Sequence, residues 1–308
     1  VLGQGITRQR GQDHVDSYKE NNTRVSALLS GGVDFIAPVP PTDLDRIKRD
    51  PKTDLVTMSG TRIILLDLNQ KRVEAFKDAR VRQAVAYAVN QEGIAAKIMK
   101  GFATPAAQLS PEGYQGHVDS LKPRFDVEKA KKLMKEAGYE DGFTVTMMTP
   151  NNRYVNDDKI AQAVAAMLSR INIKVDLKTL PKAQYWPEFD ARAADIMMIG
   201  WHADTEDSAN FYEFLTMCPN ADTGAGQYNA GNYCNPELDA LVEKANVETD
   251  LDKRAEMLQQ VEQALYDDAA FVPLHWQDLA WASKKTVKIE PILNVMNFPY
   301  MGDLVIED

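Results

Sequence analysis

Residues 126–150 read DVEKAKKLMKEAGYEDGFTVTMMTP, and this stretch decides the fold class. Val127, Ala130, Met134 and Ala137 recur at helical spacing, Asp126 stands where a carboxylate caps the first turn, and Gly138 supplies the stop. Phe143-Thr144-Val145-Thr146-Met147-Met148 then has the length and β-branched content of a strand. The pattern repeats at once: Ile160, Val164, Met167, Leu168 and Ile171 form one helical stripe, and Ile173, Val175 and Leu177 follow at spacing two.

Working outward, Ile63-Ile64-Leu65-Leu66 is a strand, followed by a helix expected over about Asp78 to Lys100 with Val81, Val85 and Ala88 inward. The run Ala194-Asp195-Ile196-Met197-Met198-Ile199 reads as a buried strand. Asn235-Pro236 opens a helix carrying Leu238, Leu241, Val242 and Ala245, and a longer helix near Leu251 to Asp267 gathers Met257, Leu258, Val261, Ala264 and Leu265. A strand pair at Ala270 to Trp276 and Leu279 to Ala282 leads into a Pro-punctuated tail ending in Asp303-Leu304-Val305-Ile306. Alternating helices and strands predict an α/β architecture with helices packed on sheets. Thr7 to Asn22 is polar and aperiodic, and only Leu28 to Ile36 shows a helix-to-strand pattern, so the first 70 or so residues read as part of a domain whose remainder is absent.

With 45 acidic against 35 basic residues and a net charge of −10, the chain lacks the basic surface that a sequence-independent grip on nucleic acid or anionic membrane requires. No run approaches the roughly 18 apolar residues of a membrane span, which predicts a soluble chain. No signal sequence is visible, and with Val1 as the first residue the natural start is expected to lie upstream. Cys218 and Cys234 are the only cysteines. They are too few for a structural zinc site without a nearby His, and two free thiols or one disulfide closing the loop both remain open.

The search for chemistry returns no catalytic apparatus. Gly3-Gln4-Gly5 lacks the third glycine and preceding strand of a dinucleotide site, the four histidines are scattered, and no nucleophile elbow occurs. No metal and no cofactor is expected. The segment Gly200-Trp201-His202-Ala203-Asp204-Thr205-Glu206-Asp207 leaves the end of the buried strand, where ligands sit in open α/β sheets. An Asp there could pair with a ligand ammonium group and Trp201 could supply a flat wall. Equally, Asp207 or Ser208 could simply cap the helix that starts near Asn210. Arg153 and Tyr154, following the strand that ends at Met148, could offer a forked donor and a ring to a ligand carboxylate, or be an ordinary loop. Tyr228, between Gln227 and Asn229, could line a pocket or be a turn residue.

Asp78-Ala79-Arg80-Val81-Arg82-Gln83-Ala84-Val85-Ala86-Tyr87-Ala88-Val89-Asn90 resembles the signature helix of the extracellular solute-binding proteins of the peptide, dipeptide and nickel group. Leu28-Leu29-Ser30-Gly31-Gly32-Val33-Asp34-Phe35-Ile36 resembles its upstream companion, with Gly32 where an acidic residue is usual. Phe125-Asp126 through Gly142-Phe143 and Asp252-Lys253-Arg254 through Val272-Pro273-Leu274 are similar to two later blocks, in the family's order.

The resemblance implies a type II periplasmic-binding-protein-like fold with one complete α/β lobe plus part of a second. Residues 1–71 and 279–308 would belong to lobe I, and 72–278 would form lobe II. It implies no enzyme activity, capture of a peptide-like ligand between lobes, delivery to an ABC importer permease in the inner membrane, a periplasmic location and a monomer. Trp201 and Asp204 are similar to the segment whose Asp pairs with a peptide ammonium group, with His202 beside them. Arg153 and Tyr154 stand about one residue from the positions relatives use. Cys218 and Cys234 are spaced like a disulfide pair of dipeptide-binding relatives.

Overall fold

The computed structural model of the chain describes residues 3–9, 12–18, 20–203 and 205–306. In chain order its elements are β1 (Gly3–Gln9), β2 (Gln12–Tyr18), α1 (Asn21–Leu29), β3 (Phe35–Ala37), α2 (Leu44–Arg49), β4 (Thr53–Leu68), α3 (Ala79–Ala88), α4 (Gln91–Gly93), β5 (Thr104–Pro105), α5 (Val127–Glu136), β6 (Phe143–Pro150), α6 (Asp157–Leu168), β7 (Ile173–Leu180), α7 (Lys182–Asp190), β8 (Ile196–Trp201), α8 (Ala209–Leu215), α9 (Pro236–Val247), α10 (Leu251–Asp268), β9 (Val272–Lys284), β10 (Val287–Lys288) and β11 (Val305–Ile306).

The chain divides into two compact units, residues 1–61 with 277–308, and residues 62–276. The first crossing falls at Thr61–Arg62, not near residue 71, because Ile63 to Leu68 of β4 already pair with β8 inside the larger unit.

In the smaller unit β1 and β2 form an antiparallel hairpin, β1 pairs with β3, and β3 pairs with the Ala282–Ser283 end of β9. The aperiodic stretch from Thr7 to Asn22 is thus largely strand, held by backbone ladders that need no apolar alternation. Phe35, Leu279, Trp281, Val287, Ile289 and Ile292 make one buried cluster of this unit. Gly60 of β4 lies so close to β9 that a Cβ would come within 2.1 Å of the Gln277 carbonyl oxygen, so only glycine fits without moving a strand.

In the larger unit the strand order is β4-β8-β6-β7, with β4 antiparallel to β8 and the other two pairings parallel. Burial alternates with the pleat. Ile64, Leu66, Met198 and Met147 enter one apolar layer with α3, α5 and α6, through residues such as Val85, Ala130 and Val164. Ile63, Leu65, Met197 and Ile199 enter the other with α7, α8, α9 and α10, through Phe189, Phe211, Val242 and Val261. Central strands covered by helices on both faces read as continuous apolar runs, which is why the stretch 194–199 carries so little polarity.

The caps explain the boundaries. Asp126 accepts from the Lys129 N–H at 2.9 Å, and Asn235 accepts from the Glu237 and Leu238 N–H groups at the start of α9. The helix expected over 78–100 is broken at Val89–Asn90, because the Asn90 side chain accepts from the Gly93 N–H at 2.7 Å and starts a new helix that continues as a π-turn over Ile94–Ile98. The two strands expected over 270–282 are one continuous strand, β9. Among the described residues, no helix is long and apolar enough to cross a membrane.

Candidate functional site

β8 is paired with β4 along its length, but with β6 only at Ile196 and Met197. Past that point the two parallel strands separate, and the backbone groups of Met198 and Gly200 that would have met β6 need other partners. Two tyrosine hydroxyls supply them. Tyr185 of α7 donates to the Met198 carbonyl at 2.7 Å and accepts from the Met198 N–H at 3.0 Å. Tyr154 accepts from the Gly200 N–H at 2.7 Å and donates to its carbonyl at 3.4 Å. Burial pushes both phenols above their ordinary pKa, so they stay neutral and keep their donor protons. Gly200 must be glycine here, since a Cβ would lie 2.6 Å from the Tyr154 ring and 2.5 Å from Ile64.

The separation opens a pocket of about 470 Å³ at the carboxyl end of β8. Its floor is the Ile199-Gly200-Trp201-His202 end of the strand, and Arg62, Arg153, Trp186, Asp190 and Tyr228 complete the lining, all within the larger unit. The Trp201 ring is fixed by its indole N–H, which donates to the Asn210 side chain at 2.8 Å, and by rings of Tyr228 and Phe214 at 4.8 and 5.3 Å. Arg153 precedes α6 on a loop held by Asp157, whose buried carboxylate accepts from the Arg153 and Tyr154 N–H groups, both at 2.9 Å. Burial pushes the Asp157 carboxyl up, and these donors oppose the shift. The Arg153 guanidinium lies 5.0 Å from the centre of the Tyr154 ring. Arg62 reaches the pocket from β4, beside the pairing of Ile63 with Trp201.

Tyr228 comes from the loop closed by the Cys218–Cys234 disulfide, which is formed. Inside that loop the buried Asn229 donates to the Met217 and Tyr233 carbonyls at 3.0 and 2.8 Å and accepts from the Tyr233 N–H, so one side chain ties the two ends together beside the disulfide. Arg192 donates to the Asn229 carbonyl at 3.1 Å from outside.

Of the residues singled out in the sequence, Trp201, His202, Arg153 and Tyr228 meet in one pocket. Tyr154 is buried behind Gly200 and supports the pocket from below. Asp204 lies outside the described residues. Asp207 accepts from the Ala209 N–H at 2.8 Å and pairs with Arg254 at 2.7 Å, which is the capping alternative for that carboxylate. Arg62, Trp186 and Asp190 were not singled out. The i, i+4 spacing of Trp186 and Asp190 was a legible signal, whereas nothing near Arg62 in sequence announces a strand pairing 138 residues away. Among the described residues, no group of three or more His, Cys, Asp or Glu could hold a metal ion.

An α/β unit with helices on both sheet faces here carries an aromatic, charged pocket at a strand end, the place where ligands bind in open α/β sheets. The family model described as bacterial extracellular solute-binding proteins, family 5 Middle, matches residues 14–223, and the chain belongs to that family. The members it resembles are solute-binding proteins, not enzymes. The dipeptide-binding protein of Escherichia coli (strain K12) is 30% identical over 243 residues, covering 76% of this chain and 44% of that protein. The structure of the ABC transporter-associated periplasmic binding protein DppA from Helicobacter pylori, in complex with the peptide STSA, superposes with a TM-score of 0.85 at 23% identity, covering 99% of this chain and 60% of the other. The binding protein AgaA from A. tumefaciens R10, in complex with agropinic acid, gives a TM-score of 0.82 at 26% identity over 96% of this chain and 60% of that one. The chain spans about half the length of the curated relatives it matches.

Proposed function

We propose that this protein captures a peptide or dipeptide-like ligand in the pocket at the end of β8 and delivers it, unaltered, to an ABC importer permease in the inner membrane. In this reading it acts in the periplasm as a monomer, and the larger unit, lobe II, holds the ligand. The observation that carries the reading is the meeting of Trp201, Tyr228 and Arg153 around one cavity at the free strand end. Trp201 is an apolar wall for a side chain or peptide plane, and Arg153 is a forked donor for a carboxylate. Asp204, three residues after Trp201, is the partner assigned to the ligand ammonium group, with His202 beside it.

Mass spectrometry of small molecules released from the purified protein tests the class of ligand directly. Calorimetry then tests the assignment: an Asp204→Ala variant is expected to lose most of its affinity for free-amine peptides, and unchanged affinity would remove Asp204 from the site. A second reading, an opine or metal-chelate ligand of the same family, draws on the His202 imidazole in the lining and on the agropinic acid held by the A. tumefaciens protein. Recovery of a non-peptide ligand would favour it.

A further inference from the structure

Trp186 and Asp190 stand four residues apart on α7 and therefore share one face of the helix. The rotation of that helix is fixed by the residues immediately before them. Tyr185 is bonded to both backbone groups of Met198, and Phe189 is buried in the core, which leaves the 186/190 face to the pocket. The Trp186 ring is braced by Tyr185 and Phe189, with centroids at 5.6 and 5.5 Å.

Asp190 is the last residue of α7. The C-terminal end of a helix carries partial negative charge, so a carboxylate there is in an electrostatically unfavourable place. Among the described residues no cation pairs with it. Arg192, two residues on, turns to the Asn229 and Gly226 carbonyls. Folding therefore gives this carboxylate no stabilising partner, while the pocket gives it access to a ligand.

We propose that the Trp186–Asp190 face of α7 selects peptides with a cationic side chain, Lys or Arg, while Arg153 holds the ligand carboxylate. This rests on the peptide reading above and names a residue type within it. The indole offers its face to the aliphatic stem and the positive head, and Asp190 with the helix end attracts the charge. Arg153 lines the same pocket, so the favoured ligand carries both charges, with its anionic end toward Arg153.

Calorimetric titration of the purified protein and its Asp190→Asn and Asp190→Lys variants with Ala-Ala, Ala-Lys, Ala-Arg and Ala-Glu tests this, with thermal denaturation reporting folding of each variant. The wild-type protein is expected to bind Ala-Lys and Ala-Arg about three- to tenfold more tightly than Ala-Ala, the range of a partly exposed ion pair joined by a cation–π contact. The preference should shrink at high ionic strength, fall in Asp190→Asn to what the Trp186 face and the helix end alone supply, and turn toward Ala-Glu in Asp190→Lys. Binding of Ala-Ala without a cationic preference, or a preference undiminished in Asp190→Asn, overturns this inference alone. Failure of every dipeptide to bind overturns the peptide reading together with it.

Discussion

Two polar clusters of the larger unit differ in what is left unpaired. The first surrounds Glu262 of α10, which has no solvent exposure. Its carboxylate accepts from the Leu109 N–H at 2.8 Å, the Ser110 N–H at 3.2 Å, the Ser110 hydroxyl at 3.0 Å and the Tyr212 hydroxyl at 2.7 Å. Burial pushes this carboxyl up, and the four donors oppose the shift. The second is the pocket at the end of β8. There, among the described residues, neither the Arg153 guanidinium nor the Asp190 carboxylate makes an ion pair, although both line a cavity. A closed network rigidifies a fold, whereas charged groups left open to a cavity hold their bonding capacity for a ligand. The Glu262 cluster ties residues 108–117 to α8 and α10, and the β8 pocket is where binding is assigned.

The largest expected effect tests the closed side of this contrast. Replacing Glu262 by Leu strands the Leu109 and Ser110 backbone donors in the core, takes an acceptor from two hydroxyls that keep other partners, and should cost about 3–5 kcal/mol in urea denaturation. Asp190→Ala should stay within about 0.5 kcal/mol of wild type. Equal losses at the two sites would erase the distinction.

Next in size is the Cys218–Cys234 bridge, at a sequence separation of 16. Reduction should lower stability by up to about 3 kcal/mol. Because Asn229 ties the same loop ends, Tyr228 should stay near Trp201, and Asn229→Ala should make ligand affinity sensitive to reductant. Affinity lost on reduction of the wild-type protein would show that the disulfide alone places Tyr228.

Tyr154→Phe should cost roughly 1–3 kcal/mol by leaving the Gly200 N–H without its partner, and it should weaken ligand binding as well. Loss of stability with full affinity would separate the floor of the pocket from its function.

A further effect is read in pH. Burial pushes the Asp67 carboxyl from 3.8 up to about 8, so the folded state holds a proton that the unfolded state has released, and stability falls as pH rises between those values. Burial pulls the His275 imidazole from 6.5 down to about 4, so stability is lost as pH falls through that window. The two slopes oppose each other between about 4 and 6.5, and above 6.5 the His275 slope is gone while the fall due to Asp67 continues to about 8. Asp67→Asn should abolish that fall, raising stability at pH 8 by at least about 1 kcal/mol, or roughly 2–4 °C.

How far the sequence is legible follows the same physics. α5, β6, α6 and β7 could be read because each buries one apolar stripe at its own period, and Asp126 and Asn235 cap as their chemistry requires. The β1–β2 hairpin could not, since its strands are mainly polar and its ladder is a backbone property. α7 escaped because Pro187 interrupts it and its aromatic residues fall on both the core and the pocket side. At the site, Trp201 and His202 were legible as the exit of a buried strand. Arg62 was not, because only the β4–β8 register brings it there. Tyr154 was legible as important but not as support, since its target, the Gly200 backbone, became available only where β6 and β8 part.

In the proposed function the pocket at the end of β8 holds the ligand. Its most direct test is calorimetric titration of wild-type protein and Arg153→Ala with a dipeptide and with the same dipeptide amidated at its carboxyl end. Replacing Arg153 should cost the free dipeptide at least tenfold in affinity and cost the amide, which has no carboxylate to offer, little further. Equal affinity of wild type and variant for the free dipeptide would contradict it.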